Sequence, residues 1–105
     1  MDPKLLYPLK HRGEESQAHL AIIRSRQALV DCRAQLVNHV RGAAKSFGHR
    51  LPKCPARSFH KRASEHIPEA LLAALEPILE QIGSLTERIG QYDRQLEAIS
   101  KTADV

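Results

Sequence analysis

The chain has 105 residues, 16 Lys and Arg against 12 Asp and Glu, and a net charge of +4. It has no Trp, and its aromatic residues are Tyr7, Phe47, Phe59 and Tyr92, so aliphatic side chains must supply most of the burial. This composition argues against a large compact core and favours helix packed on helix. No run is apolar enough to span a bilayer, no signal peptide is expected, and Cys32 and Cys54 form no disulfide framework, which fits a reducing cytoplasm.

The net charge conceals a division. Residues 1–62 hold thirteen Lys and Arg against four acids, or +9, and residues 63–105 hold three against eight, or −5. A basic half beside an acidic half has two physical readings: the basic half meets phosphate, or the halves pair with each other within or between chains.

Residues 1–13 read as an extended arm with Pro3, Pro8 and Gly13 as breakers, the piece at residues 4–8 being strand-like. Residues 14–48 read as one long basic amphipathic helix. Glu14 and Glu15 are expected in its first turn, where they complement the helix dipole, and Gly48 is expected to end it. Its apolar residues form two lines, Ile22, Leu29, Leu36, Ala43 and Ile23, Val30, Val37, Ala44. Between them runs a third line, Arg26, Arg33, Val40, Phe47. A guanidinium on a packing face needs a partner. Either Arg26 and Arg33 reach acids such as Glu80 or Glu87 on the second helix, or they reach nucleic-acid phosphate bidentately.

Residues 49–66 form a basic connector with Pro52 and Pro55 and a short helical turn expected near residues 58–63. Arg41 and Lys45 precede it. Arg50, Lys53, Arg57, Lys61 and Arg62 then follow without an intervening acid, interleaved with Phe59 and His60. Such a segment is either a solvated loop or a flexible strip that tracks a phosphate backbone.

Pro68 is expected to open a second helix over residues 67–100, ahead of a frayed tail at 101–105. Leu71, Leu75, Ile78, Ile82, Leu85, Ile89, Tyr92, Leu96 and Ile99 follow at strict four-three spacing, the heptad period of a coiled coil. Pro77, Gly83 and Gly90 fall off this seam, on the face expected to be outermost. The partner helix is either a second copy, where parallel pairing would bring Arg88 and Asp93 together as flanking charges, or the first helix of the same chain.

Little points to catalysis. Most acids lie on the outer face of the second helix, His49, Cys54 and His60 match no zinc spacing, and neither cysteine has a histidine partner at a recognisable spacing. There is no glycine-rich phosphate loop. His19, His39 and His66 belong to no motif.

The stretch Leu29-Val30-x-x-Arg33-x-x-Leu36-x-Asn38-His39-Val40-Arg41-Gly42, followed by Lys45-Ser46-Phe47-Gly48 and Leu51-Pro52-Lys53-Cys54, carries a resemblance. With Arg24-x-Arg26 before it and the opening Asp2-Pro3-Lys4-Leu5-Leu6-Tyr7-Pro8, it resembles insertion-sequence transposases with a RuvC-like DEDD nuclease domain, the "one-ten" family. The resemblance covers roughly residues 2–100. It implies that the chain corresponds to the family's middle, the end of the nuclease domain and the coiled-coil region. The acids that hold a divalent metal such as magnesium would lie ahead of it, and a serine-bearing domain beyond it. This chain would then carry no catalytic residue, metal or cofactor of its own. In such transposases the middle assembles the multimer and holds DNA and a structured guide RNA. The family's basic helix positions correspond to Arg24, Arg26, Arg33, Asn38 and Arg41, and its basic loop to Lys53. The expectation is an all-α, elongated helical hairpin or coiled coil, homo-oligomeric and cytoplasmic. It would take part in DNA transposition by joining subunits and gripping nucleic-acid backbone without reading sequence. The alternative is a purely structural oligomerisation module.

Overall fold

Prolines and a glycine set most of the helix ends. The structure, a computed structural model, describes residues 8–103, with side chains over residues 13–101. Helix α1 spans Pro8–Ser46, α2 Ala56–Ser64 and α3 Glu69–Ala103, with no strand among the described residues.

Helix α1 begins six residues earlier than its sequence suggests. Proline lacks only an N–H that the first turn would leave unpaired anyway, so Pro8 starts the helix instead of breaking it. Gly13 lies inside α1, where a methyl group would meet nothing within 4 Å. Glu14 and Glu15 are therefore more than a turn inside the helix, and its first turn holds no acid. The expected strand-like piece falls, apart from Pro8, outside the described residues.

The other end follows the expectation. Gly48 takes φ +81°, the left-handed conformation that glycine adopts without strain. Gly48 N–H donates to the Lys45 carbonyl (2.9 Å) and His49 N–H to the Ala44 carbonyl (2.9 Å). This pair of bonds satisfies two of the last carbonyls of α1 and turns the chain away from the helix axis.

The connector is more ordered than a strip. Pro55, in an extended conformation, gives way to nine residues of helix. Phe59 and Ala63 of α2 are buried, so Arg57 and Lys61, one turn apart, stay exposed. Pro68 stands just ahead of α3, where its carbonyl accepts from Leu71 N–H (3.0 Å) and Leu72 N–H (2.8 Å). It is thus the cap of α3 and not a residue of its first turn.

α1 and α3 are antiparallel partners within one chain. Arg26 reaches Asp93 and Arg33 reaches Thr86, so seven residues forward on α1 is seven back on α3. The result is an elongated hairpin. α2 packs on one side of it near the turn. There Val40, Ala44, Leu51, Phe59, Ala63, Ile67, Leu71, Leu75, Leu79 and Ile82 form the main core. Each large aliphatic side chain fully withdrawn from water there contributes about 1.5–3 kcal/mol.

The heptad seam of α3 is thus occupied by the chain's own first helix. Leu71, Leu75, Ile82, Leu85 and Ile89 are buried, whereas Ile78, Tyr92, Leu96 and Ile99 are half-buried. Leu79, absent from the four-three series, is also buried. The cause is α2, which covers a second face of α3 and draws in residues beside the seam. Gly83 belongs to that face and is not outermost. A methyl group there would stand 2.9 Å from His60 Cδ2, so α2 packs directly on glycine backbone. Gly90 is half-buried as well, and only Pro77 of the three is exposed.

Candidate nucleic-acid interface

Between Asp31 and Glu65 the chain contains no acid and eight Lys and Arg. The fold gathers this stretch into the closed end of the hairpin: the last turns of α1, the connector and α2. Its cations then divide into two groups.

Arg26, Arg33 and Arg41 are engaged inside the molecule. Arg26 Nε donates to Asp93 Oδ1, with both side chains partly exposed. Its partner is Asp93 and not Glu80 or Glu87. The reason is register: the antiparallel pairing sets Asp93 opposite Arg26, as it sets Thr86 opposite Arg33, although Asp93 is exposed like Glu80 and Glu87. Arg33 Nη1 donates to Thr86 Oγ1 (3.0 Å), whose hydroxyl donates to the Ile82 carbonyl (2.9 Å). Burial holds the Arg33 pKa below its ordinary value; neighbouring Arg26 lowers it further and Asp93 opposes the shift.

Arg41 works as a clamp. Its Nη2 donates to the Pro52 carbonyl (3.2 Å) and its Nη1 lies 3.4 Å from the Leu51 carbonyl. The guanidinium carbon stands 5.0 Å from the centre of the Phe59 ring. A single cation thus satisfies connector carbonyls and covers the buried aromatic of α2, fixing connector and helix to α1. Phe59, expected among the charges of the strip, is 1% exposed beneath it.

The second group is solvent-facing. Lys45, Arg50, Lys53, Arg57, Lys61 and Arg62 are all exposed. They line the end of α1, the connector and the outer face of α2. Among the described residues no ion pair ties them to the protein, and no acid lies within their own stretch of chain. Asn38 is exposed on α1 and shares a helix stripe with Arg41 and Lys45 at three- and four-residue spacing. Arg24 is exposed too, but it lies 21 residues before Lys45 on the same helix. At 1.5 Å per residue that is roughly 30 Å away, so Arg24 does not join the cluster.

His60 sits where α2 meets α3. Its Nδ1 is buried without a hydrogen-bond partner, and burial, with Lys61 nearby, lowers its pKa. Phe47 departs from its expected place. The α1 repeat puts it on the line of Arg26, Arg33 and Val40, yet the helix stops at Ser46 and the ring is 58% exposed. Gly48 immediately after it was the available signal. Asp93 and Thr86 were also legible, as polar residues seven apart opposite arginines seven apart.

Among the described residues no three His, Cys, Asp or Glu side chains are grouped to hold a metal ion. No helix among them is long and apolar enough to cross a membrane. Compared with models of protein families, with curated proteins and with solved structures, the chain matches none.

Proposed function

We propose that this chain is the non-catalytic helical midsection of an insertion-sequence transposase of the one-ten type, joining subunits and holding DNA or RNA by the backbone. The supporting observation is the division of the cations. Three arginines are consumed in packing, while Lys45, Arg50, Lys53, Arg57, Lys61 and Arg62 are displayed along a stretch of chain that holds no acid before Glu65. A docked α2 holds part of that display in place, so fewer residues must be ordered on binding. Phosphate is the natural ligand for such a surface, and contacts of this kind carry no sequence information.

The assembly role rests on the part of the hairpin beyond the three-helix core. Tyr92, Leu96 and Ile99 of α3 and Ile22 and Leu29 of α1 remain half-buried there. A second copy would complete their burial, as neighbouring helices do in a bundle. The structural alternative, oligomerisation without nucleic acid, draws its support from the internal use of Arg26, Arg33 and Arg41.

Fluorescence anisotropy with duplex DNA and a structured RNA, at low and moderate salt, separates the two. Binding should weaken steeply with salt, with a log–log slope for duplex of up to about −5 if all six exposed cations meet phosphate. Replacing Arg50, Lys53, Arg57 and Lys61 with Glu should abolish it while helicity is retained. Absence of binding by the native chain at low salt would leave only the structural reading.

A further inference from the structure

We propose that Phe47 is a stacking platform for an unpaired base at the basic end of the hairpin, a role that rests on the nucleic-acid reading above. The ring is 58% exposed, the most open of the large hydrophobic side chains at this end. Of the other aromatics among the described residues, Phe59 is buried beneath Arg41 and Tyr92 lies far along α3. An apolar ring in water is unremarkable alone. Its position and surroundings give it meaning.

The position is rigid. Phe47 N–H donates to the Ala44 carbonyl (3.1 Å), and the next two residues are bonded back to Lys45 and Ala44. Three backbone bonds and a left-handed glycine thus hold the ring's base on the end of a 39-residue helix. That arrangement takes the ring off the packing line. A mobile loop would lose more entropy on binding than this anchored turn.

The surroundings are cationic. Lys45, His49 and Arg50 are exposed within three residues of the ring, and the nearest acids in sequence are Asp31 and Glu65. A locally cationic setting disfavours a basic protein surface and suits a ligand that pairs a flat π face with phosphate. An unpaired nucleotide has both parts, since any base can stack on an aromatic side chain while its backbone follows the charges. A blunt duplex hides its base faces, so it would engage the cations and leave the ring idle.

The test uses the whole 105-residue chain with labelled single strands of DNA and RNA and a blunt duplex of equal length. Phe47→Ala should lower single-strand affinity about five- to a hundredfold, the range measured for stacked bases, with duplex affinity changed less than about twofold. Phe47→Trp provides an independent readout, because the native chain has no Trp. Its emission should be quenched by single strands and left unmoved by blunt duplex. Unchanged single-strand affinity in Phe47→Ala, or unmoved Trp emission with the strand saturating, would overturn the platform while leaving backbone binding intact. Loss of self-association in Phe47→Ala with single-strand binding preserved would assign the ring to a protein contact and overturn it as well. Failure of the native chain to bind any probe would overturn both readings together.

Discussion

At the closed end of the hairpin three helices meet, and ten apolar residues from Val40 to Ile82 exclude water from one another. Toward the open end the same two long helices lie side by side without a third. There Ile22, Leu29, Leu96 and Ile99 stay half-buried, Ile23 is 45% exposed, and the partly exposed Arg26–Asp93 pair bridges the helices. The apolar patterning is as regular at one end as at the other. What differs is the number of neighbours, because two helices bury a stripe and a third is needed to enclose it. Stability should therefore be concentrated near the turn, the end that also displays the basic surface.

The sharpest way to break this comparison is to place a charge in each region. Ile82 is fully buried, so Ile82→Asp removes its packing and strands a carboxylate, costing about 4 kcal/mol or more. That is a large part of the 5–15 kcal/mol that holds a typical domain together. Circular dichroism should show loss of helix. Ile99→Asp, at the open end, should cost less than about 1 kcal/mol in the isolated chain. Similar losses from both would mean that the open end is enclosed as well, by a second copy.

A smaller effect distinguishes two glycines on α3. Exchanging a mid-helix glycine for alanine gains up to about 1 kcal/mol where there is room. At Gly90 the new methyl group would lie 3.6 Å from Arg94 Nη1, an ordinary contact, so Gly90→Ala should raise the melting temperature. At Gly83 it would press on the His60 ring at 2.9 Å, and α2 must shift to accept it. Gly83→Ala should therefore lower the melting temperature, and adding His60→Ala should recover it. Equal stabilisation by both alanines would show that α2 is loosely seated.

These cases also mark what the sequence made legible. The all-helical class, the two long helices and the stop at Gly48 follow from local rules: apolar period, proline and glycine. The strict four-three series on α3 located most of its buried face. It missed Leu79 and misplaced Gly83, because both depend on α2, and nothing in a helical repeat announces a third helix against its flank. The start of α1 is not legible from Pro8, since a proline at a helix start and one at a helix end look alike in sequence. Among the candidate site residues, charge alone could not separate Arg41 from Lys45. The difference is that Arg41 finds carbonyls of residues ten and eleven positions onward, a tertiary fact.

The interior arginines permit a subtler comparison. Exposed ion pairs such as Arg26–Asp93 contribute about 0–1 kcal/mol, and the Arg33 charge is partly desolvated opposite a hydroxyl. Replacing both arginines with methionine keeps the packing stems and removes the charges. The melting temperature should be unchanged or raised. A clear fall would show that the open end depends on these charges to hold its two helices in register.

His60 gives the finest probe, because it reports the seating of α2 through one proton. An unfolded chain protonates this imidazole near its ordinary pKa of about 6.5, whereas burial lowers the value in the folded state. Above that pH both states hold it neutral and it adds no pH dependence. As the pH falls below about 6.5 the unfolded state binds the proton first, so stability declines until the folded pKa is reached and then levels off. Lys61 reinforces this from α2 itself, and the ring's contact on α3 is backbone at Gly83, which offers no charge to oppose it. Melting curves between pH 7.5 and pH 5 (about one unit above and somewhat more below that midpoint) should fall less for His60→Leu than for the native chain. The other histidines act alike in both proteins, so the difference belongs to His60. Parallel curves would mean that its Nδ1 finds water in solution and that α2 opens readily at this edge.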